Sequence, residues 1–175
     1  MMSVRVMEEA DIAAVSALRV AGWKAAYVGI VPQSYLDLMR VEKDSEQRRR
    51  RFAQSGDRVL DLVAVDDRSG VVGWACLGPY RGMEAEHAVG ELYALYVQPS
   101  LIGTGVGRTL LKAVNTHAAA CGFGALLLWV FRNNARARRF YELAGYSADG
   151  AVQVVDYDGV SLSEVRYRRT MPNMI

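Results

Sequence analysis

Histidine and cysteine are scarce in this chain, two of each among 175 residues, and their placement excludes several chemistries. His87 and His117 are too few and too isolated for a metal centre, and no metal is expected. Cys76 and Cys121 lie far apart in apolar stretches and make neither a C-x-x-C pair nor a disulfide framework. They read as buried free thiols of a reducing cytoplasm, and neither has a histidine in its local motif to activate it as a nucleophile. No apolar run approaches the ~20 residues that span a bilayer, and the N-terminus lacks the basic start and apolar run of a secretory signal. Charge of one sign is also wanting: a net +2 gives no concentrated basic footprint for nucleic acid. Repeats, low-complexity tracts and linkers are absent. What remains is an ordinary globular balance, 51% hydrophobic and 23% charged, in a length that suits one domain over residues 1–175.

Periodicity divides that domain. Ser3 to Met7 alternates as a strand, and Ile12, Val15, Leu18 and Ala21 follow at helical spacing after an acidic start. Tyr35 to Met39 suggests a short second helix and Glu42 to Gln54 a third. From Arg58 the period becomes two: Val59–Val65 and Val71–Leu77 flank the turn residues Asp66, Asp67, Ser69 and Gly70 as a hairpin. Ala88 to Val97 is a longer strand ended by Pro99. A helix then runs from the Gly103–Gly107 turn to about Ala120, stopped by Gly122 and Gly124. Ala125 to Phe131 is an apolar run suited to a strand buried on both faces. Asn134 to Ala144 is a helix closed by Gly145, and Tyr146–Val155 with Ser161–Arg169 form a last hairpin across Asp158-Gly159.

The strand-to-helix turn Val97-Gln98-Pro99-Ser100-Leu101-Ile102-Gly103-Thr104-Gly105-Val106-Gly107-Arg108 carries three alternate glycines. Glycine lets a backbone approach a ligand, and the first amides of a helix have no intrahelical partner, so a pyrophosphate fits there. Glycine serves turn sterics equally well, and both readings stand on this segment alone. A Walker loop needs Gly-Lys-Ser/Thr where Gly107-Arg108-Thr109 stands, and a Rossmann turn needs glycine at Arg108.

The segment Ile102 to Gly107 resembles the cofactor motif of the GNAT acetyltransferase superfamily, Gln/Arg-x-x-Gly-x-Gly/Ala, with Ile102 in place of the usual Gln or Arg. Leu128 to Tyr146, containing Asn134-Ala135-Arg136-Ala137-Arg138-Arg139-Phe140-Tyr141 and Gly145-Tyr146, is similar to that family's second signature. Together the likeness covers about Glu91 to Tyr146. It implies an α/β GNAT fold: a mixed, mostly antiparallel sheet of about seven strands, splayed between the fourth and fifth and flanked by about four helices. It further implies acetyl-CoA as cosubstrate and an amine acceptor. The acetyl-CoA would be held by Ile102, Gly103, Thr104, Gly105, Val106, Gly107 and Arg108, by the backbones of Leu95, Tyr96 and Val97, and by Asn134 and Tyr141. Relatives commonly form homodimers, and nothing here marks one.

Acyl transfer to an amine needs a base for the nitrogen and an acid for the departing thiolate. The resemblance puts Tyr141 near the sulfur as the acid. Glu91, a carboxylate in an apolar strand, is either a solvent-facing position or a general base acting through a water. Asn134 alone would be a helix N-cap. Trp23 and Tyr27, with Tyr35 and the Tyr80–His87 segment, are ordinary helix packing or an acceptor wall. Arg136, Arg138 and Arg139 read as a solvated helix face with one or two near the phosphates, and Arg48 to Arg51 as an exposed helical face. The competing function, kept open by Ile102, is an acyl-CoA-binding regulatory or scaffold protein with little turnover.

Overall fold

Among the described residues, 1–54, 56, 58–82 and 88–172, the computed structural model of the chain forms seven strands and five α-helices. Before the first sheet hairpin come β1 (Met2–Val6), α1 (Ile12–Ala26), α2 (Gln33–Asp37) and α3 (Val41–Gln54). The middle of the chain supplies β2 (Leu60–Asp66), β3 (Gly70–Pro79), β4 (Val89–Val97), α4 (Val106–Ala120) and β5 (Ala125–Phe131). Helix α5 (Ala135–Leu143) and the hairpin β6 (Ser147–Tyr157) and β7 (Val160–Thr170) complete it. Five helices flank the sheet where the resemblance implied about four; the short α2, with Pro32 at its N-cap, is the second helix that the Tyr35–Met39 pattern suggested.

The sheet runs β1-β2-β3-β4-β5-β7-β6, and β4–β5 is its one parallel pair among the described residues. That pair is short: Val89, Gly90 and Glu91 oppose Ala125, Leu126 and Leu127, and beyond them the strands separate. A register shift bends β4 at this point, since Cys76 faces Ala94 while Leu77 faces Leu92, which leaves Tyr93 as the extra residue of a bulge. Bulges bend and twist a strand, so the sheet opens here instead of continuing its pairing. Gly90 holds the closed end together: a Cβ there would stand 2.6 Å from the Phe123 ring.

Period-two alternation sends the two faces of the first half-sheet to different helices. Leu62, Ala64, Val72, Ala75 and Leu77 pack with Leu126 and Leu128 against Leu110, Leu111 and Val114 of α4. Val63 and Trp74 point the other way, onto Ile12, Val15 and Leu18 of α1. Each fully buried aliphatic side chain contributes about 1.5–3 kcal/mol, so both faces are firmly held. A third cluster crosses the opening: Trp23, Val31 and Leu36 pack on Phe131 of β5 with Tyr27, Tyr35 and Tyr157 around them. Of the two cysteines, Cys76 is partly buried in β3, but Cys121 at the end of α4 is exposed, against the expectation of two buried thiols.

Candidate active site

A cleft of about 1550 Å³ passes through the opening between β4 and β5 and is lined on one side by the α4 turn and on the other by α1 and α3. Leu95, Tyr96 and Val97 line it along the β4 edge that no longer pairs with β5. In the turn, Gly103 and Gly105 adopt φ of 87° and 102°, which glycine alone takes without strain. A Cβ at either would meet nothing within 4 Å, so the turn's surface is open. The first backbone bond into α4 runs from Thr109 N to Gly105 O at 3.0 Å. The amides of Val106, Gly107 and Arg108 therefore lack helical partners at the positive end of the helix dipole. Val106 offers only its amide, since its side chain is buried in the core. Thr104 turns its hydroxyl back to Leu101 O at 2.6 Å and does not reach the cleft wall. Ile102 does line the wall and is 38% exposed, with Arg108 and Arg136 nearby on the same cleft.

Helix α5 brings its signature residues to the same side. Asn134 caps it, its Oδ1 accepting from Ala137 N at 3.1 Å, as its place before an apolar-periodic run implies, and it also lines the cleft. Tyr141 lies against Phe140 and Tyr146 with ring centroids 5.1 and 5.9 Å away. Burial pushes its phenol well above the ordinary tyrosine range, and the nearby Tyr96 and Tyr146 add to this. Among the described residues no group bonds to its hydroxyl. Arg138 is taken up by Tyr167 Oη at 3.0 Å and Arg132 O at 3.1 Å, leaving Arg136 as the α5 arginine on the cleft.

Across the opening the walls are side chains. Trp23 Nε1 donates to Tyr96 Oη at 2.7 Å, and Tyr27 meets Phe131 edge-on at 5.0 Å. Trp23 and Tyr27 thus pack into the aromatic cluster and line the cleft at once. The Tyr96 side chain, given no part by the sequence reading, is partly buried against α1 and stacks on Trp74 at 6.0 Å. Arg48 likewise departs from its expected exposed face: Nη2 donates to Asp44 at 3.1 Å, Nε to Ser16 Oγ at 3.3 Å, and the guanidinium lies 4.1 Å over the Trp74 ring. The other Asp44 oxygen accepts from Arg19 Nη1 at 2.6 Å, so one carboxylate serves two guanidiniums. Below them Cys76 lines the cleft, but burial and then the neighbouring Asp61 push its thiol far up, and it is no ready nucleophile.

Glu91 is the last β4 residue paired to β5 and is 3% exposed, so it is not a solvent-facing strand position. Its Oε1 accepts from Arg81 Nη2 at 2.7 Å, and its Oε2 from Arg81 N at 3.1 Å and Nε at 3.3 Å. Arg81 lines the cleft and Glu91 does not. The sequence marks the Tyr80–His87 segment as a candidate acceptor wall but does not single out Arg81 within it, because its partner Glu91 stands ten residues on, in β4. Tyr157 and Glu164 of the far half-sheet also line the cleft and were unmarked, and Trp129 of β5, part of the second signature run, lines it too. Tyr80 Oη accepts from Arg166 Nη1 at 2.9 Å across the opening. The rest of the Tyr80–His87 segment, from 83 on, lies outside the described residues. Among those residues no cluster of His, Cys, Asp or Glu is placed to hold a metal ion, and no helix is long and apolar enough to cross a membrane.

The sheet opened beyond its short β4–β5 pair, with free helix amides at one mouth and a side-chain chamber at the other, forms one cleft through the sheet. The chain belongs to the acetyltransferase (GNAT) family, whose model matches residues 25–146. It is 30% identical over 134 residues to an uncharacterized N-acetyltransferase, YuaI, of Bacillus subtilis, covering 77% of this chain and 74% of that one. With a mycothiol acetyltransferase of Propionibacterium freudenreichii it shares 38% identity over 106 residues, 59% of this chain but only 33% of that relative. Its fold matches a phosphinothricin acetyltransferase of Sinorhizobium meliloti, solved in complex with acetyl-CoA, at a TM-score of 0.74 and 19% identity over 97% of this chain and 88% of that one.

Proposed function

We propose that this chain is an acetyl-CoA-dependent N-acetyltransferase that passes an acetyl group directly to a primary amine. The observation that carries the reading is one continuous cleft joining the unpartnered α4 amides and the Tyr141 phenol to the chamber under α1 and α3. The donor set fits the cosubstrate: free amides at an open glycine turn suit a pyrophosphate, and Arg108 and Arg136 add cations. Leu95, Tyr96 and Val97 offer an unpaired strand edge to the amides of a pantetheine arm, and the Asn134 side-chain amide lies on the same wall.

When bound, the thioester supplies an acyl group activated toward nitrogen. The chain's own groups then divide the work. Backbone amides of the bulged β4 polarise the acyl oxygen. The acceptor nitrogen, with a pKa of ~10 as a free amine, gives up its proton to a water in the cleft, and a chain of waters passes it on to Glu91, which lies off the cleft wall behind Arg81. Glu91 Oε1 takes a single donor from the protein and keeps a lone pair for the last of those waters. As the C–N bond forms and the C–S bond breaks, Tyr141 gives its proton to the departing sulfur. A phenol is protonated at neutral pH, and burial raises this one further. The acceptor, a small molecule, a peptide N-terminus or a lysine side chain, enters from the α1–α3 mouth past Trp23 and Tyr27. A cytoplasmic setting and a homodimer complete the reading.

Thiol release tests it, measured with acetyl-CoA and a panel of small amines, peptide N-termini and lysine peptides. Thiol that appears only when both substrates are present is the expected result. Acetyl-CoA binding with no release across the panel would replace the enzyme by an acyl-CoA-binding protein, the role Ile102 kept open.

A further inference from the structure

We propose that the acceptor carries a carboxylate beside its reactive amine, and that Arg81 receives it while Glu91 holds Arg81 in place. This rests on the acetyltransferase reading and narrows its acceptor to amino-acid-like amines.

A guanidinium has five N–H donors in one plane, and a carboxylate can take two parallel ones from a single edge. Glu91 takes the edge made by Nε and Nη2, at 3.3 and 2.7 Å. That leaves the second edge, both Nη1 hydrogens and the remaining one on Nη2, and among the described residues nothing bonds to Nη1. The plane is fixed as well. Arg81 lies 4.0 Å over the Tyr93 ring, and Tyr93 is pinned by its hydroxyl to Pro79 O. A side chain 63% exposed is ordinarily free to sample rotamers, yet this one is held by an ion pair, a ring and its own backbone amide. An arginine fixed on one edge presents the other to a ligand with little ordering left to do.

Position and charge give the class of ligand. Arg81 lines the cleft while its holder Glu91 is buried behind it at the last β4–β5 pair, so the free edge lies beside the point where the strands part. The chamber wall on the α1–α3 side adds positive charge, because Asp44 is shared between Arg19 and Arg48. Asp61, the carboxylate on the same wall, is turned to Trp74 Nε1 at 2.8 Å. Arg48, Arg81 and Cys76 all line the same cleft. A planar anion there would meet donors from Arg81 with a second cation nearby, and its amine would be left to face the opening.

The test is thiol release by the full chain with matched acceptors: each common amino acid, its carboxamide, and the amine lacking the carboxyl group. At least one amino acid should exceed its carboxamide at least tenfold in kcat/KM. Arg81→Lys keeps a cation on Glu91 but has no second donor edge. It should raise KM for that amino acid about tenfold with a smaller change in kcat, narrow the gap between acid and amide, and leave the calorimetric affinity for acetyl-CoA unchanged. Equal turnover of acids, amides and decarboxylated amines would overturn the inference and leave the acetyltransferase reading standing. So would full rescue by lysine, which would mark Arg81 as a structural partner of Glu91. Failure to bind acetyl-CoA at all would sink both.

Discussion

The two mouths of the cleft are made of different material. On the α4 side the ligand surface is backbone: open glycines, helix amides without partners and an unpaired strand edge. On the α1 side it is long side chains drawn from α1, α3, β3 and the turn after it, held to one another by ion pairs and rings. Backbone at a turn depends on a few adjacent residues and tolerates change in their side chains, which accommodates Ile102 in place of the Gln or Arg of the motif the turn resembles. A chamber of paired side chains fails when any one partner is removed, and it can be respecified without touching the other mouth.

The sharpest way to break the comparison is Gly105→Glu. A φ of 102° strains any side chain, and a carboxylate there opposes the pyrophosphate, so acetyl-CoA affinity should fall about a thousandfold in calorimetry while the α1-side contacts persist. Tyr141→Phe removes only the phenolic hydroxyl at the meeting point of the two halves. Its kcat should drop roughly a hundredfold with acetyl-CoA affinity unchanged, and an unaltered kcat would take away its role as acid. Asp44→Ala leaves Arg19 and Arg48 facing each other without a counter-charge. Acceptor KM should change about tenfold and thermal stability should fall, with the cofactor mouth unaffected.

A milder effect comes from pH. Burial raises the phenols of Tyr27, Tyr93, Tyr96, Tyr141, Tyr146 and Tyr157, with Tyr93 and Tyr157 pushed up to about 12. A raised folded value means the stabilisation is full below the ordinary tyrosine value near ~10 and is lost as pH climbs from there toward 12. Thermal melts should hold steady to about pH 10 and then fall, with phenolate absorbance lagging that of free tyrosine. The smallest expected change is Ile102→Arg, an exposed added contact that should tighten acetyl-CoA about threefold. No change would mean the α4 amides alone set the affinity.

Legibility in the sequence follows the same division. The glycine turn, the capping Asn134 and the buried run Ala125–Phe131 are local patterns, and each element stands where periodicity and turn chemistry put it. On the acceptor side Trp23, Tyr27 and the Tyr80–His87 segment were named from the sequence, but the charged pairs of the chamber were hidden because their contacts are distant in sequence. Four consecutive arginines read as a solvated face, yet Arg48 is turned inward by Ser16, Asp44 and Trp74, which come from α1, α3 and β3. Glu91 could be recognised as costly in an apolar strand, but its partner Arg81 could not be picked from the chain's many arginines. Tyr96 shows the limit most plainly: its backbone belongs to one mouth and its side chain to the other, and no one-dimensional pattern separates the two.

Isothermal titration of the purified chain with acetyl-CoA tests the central claim most directly. A single saturable site per chain, abolished by Gly105→Glu and kept by Tyr141→Phe, is the result predicted. No heat of binding from a folded sample would contradict the cofactor assignment and, with it, the transferase built on it.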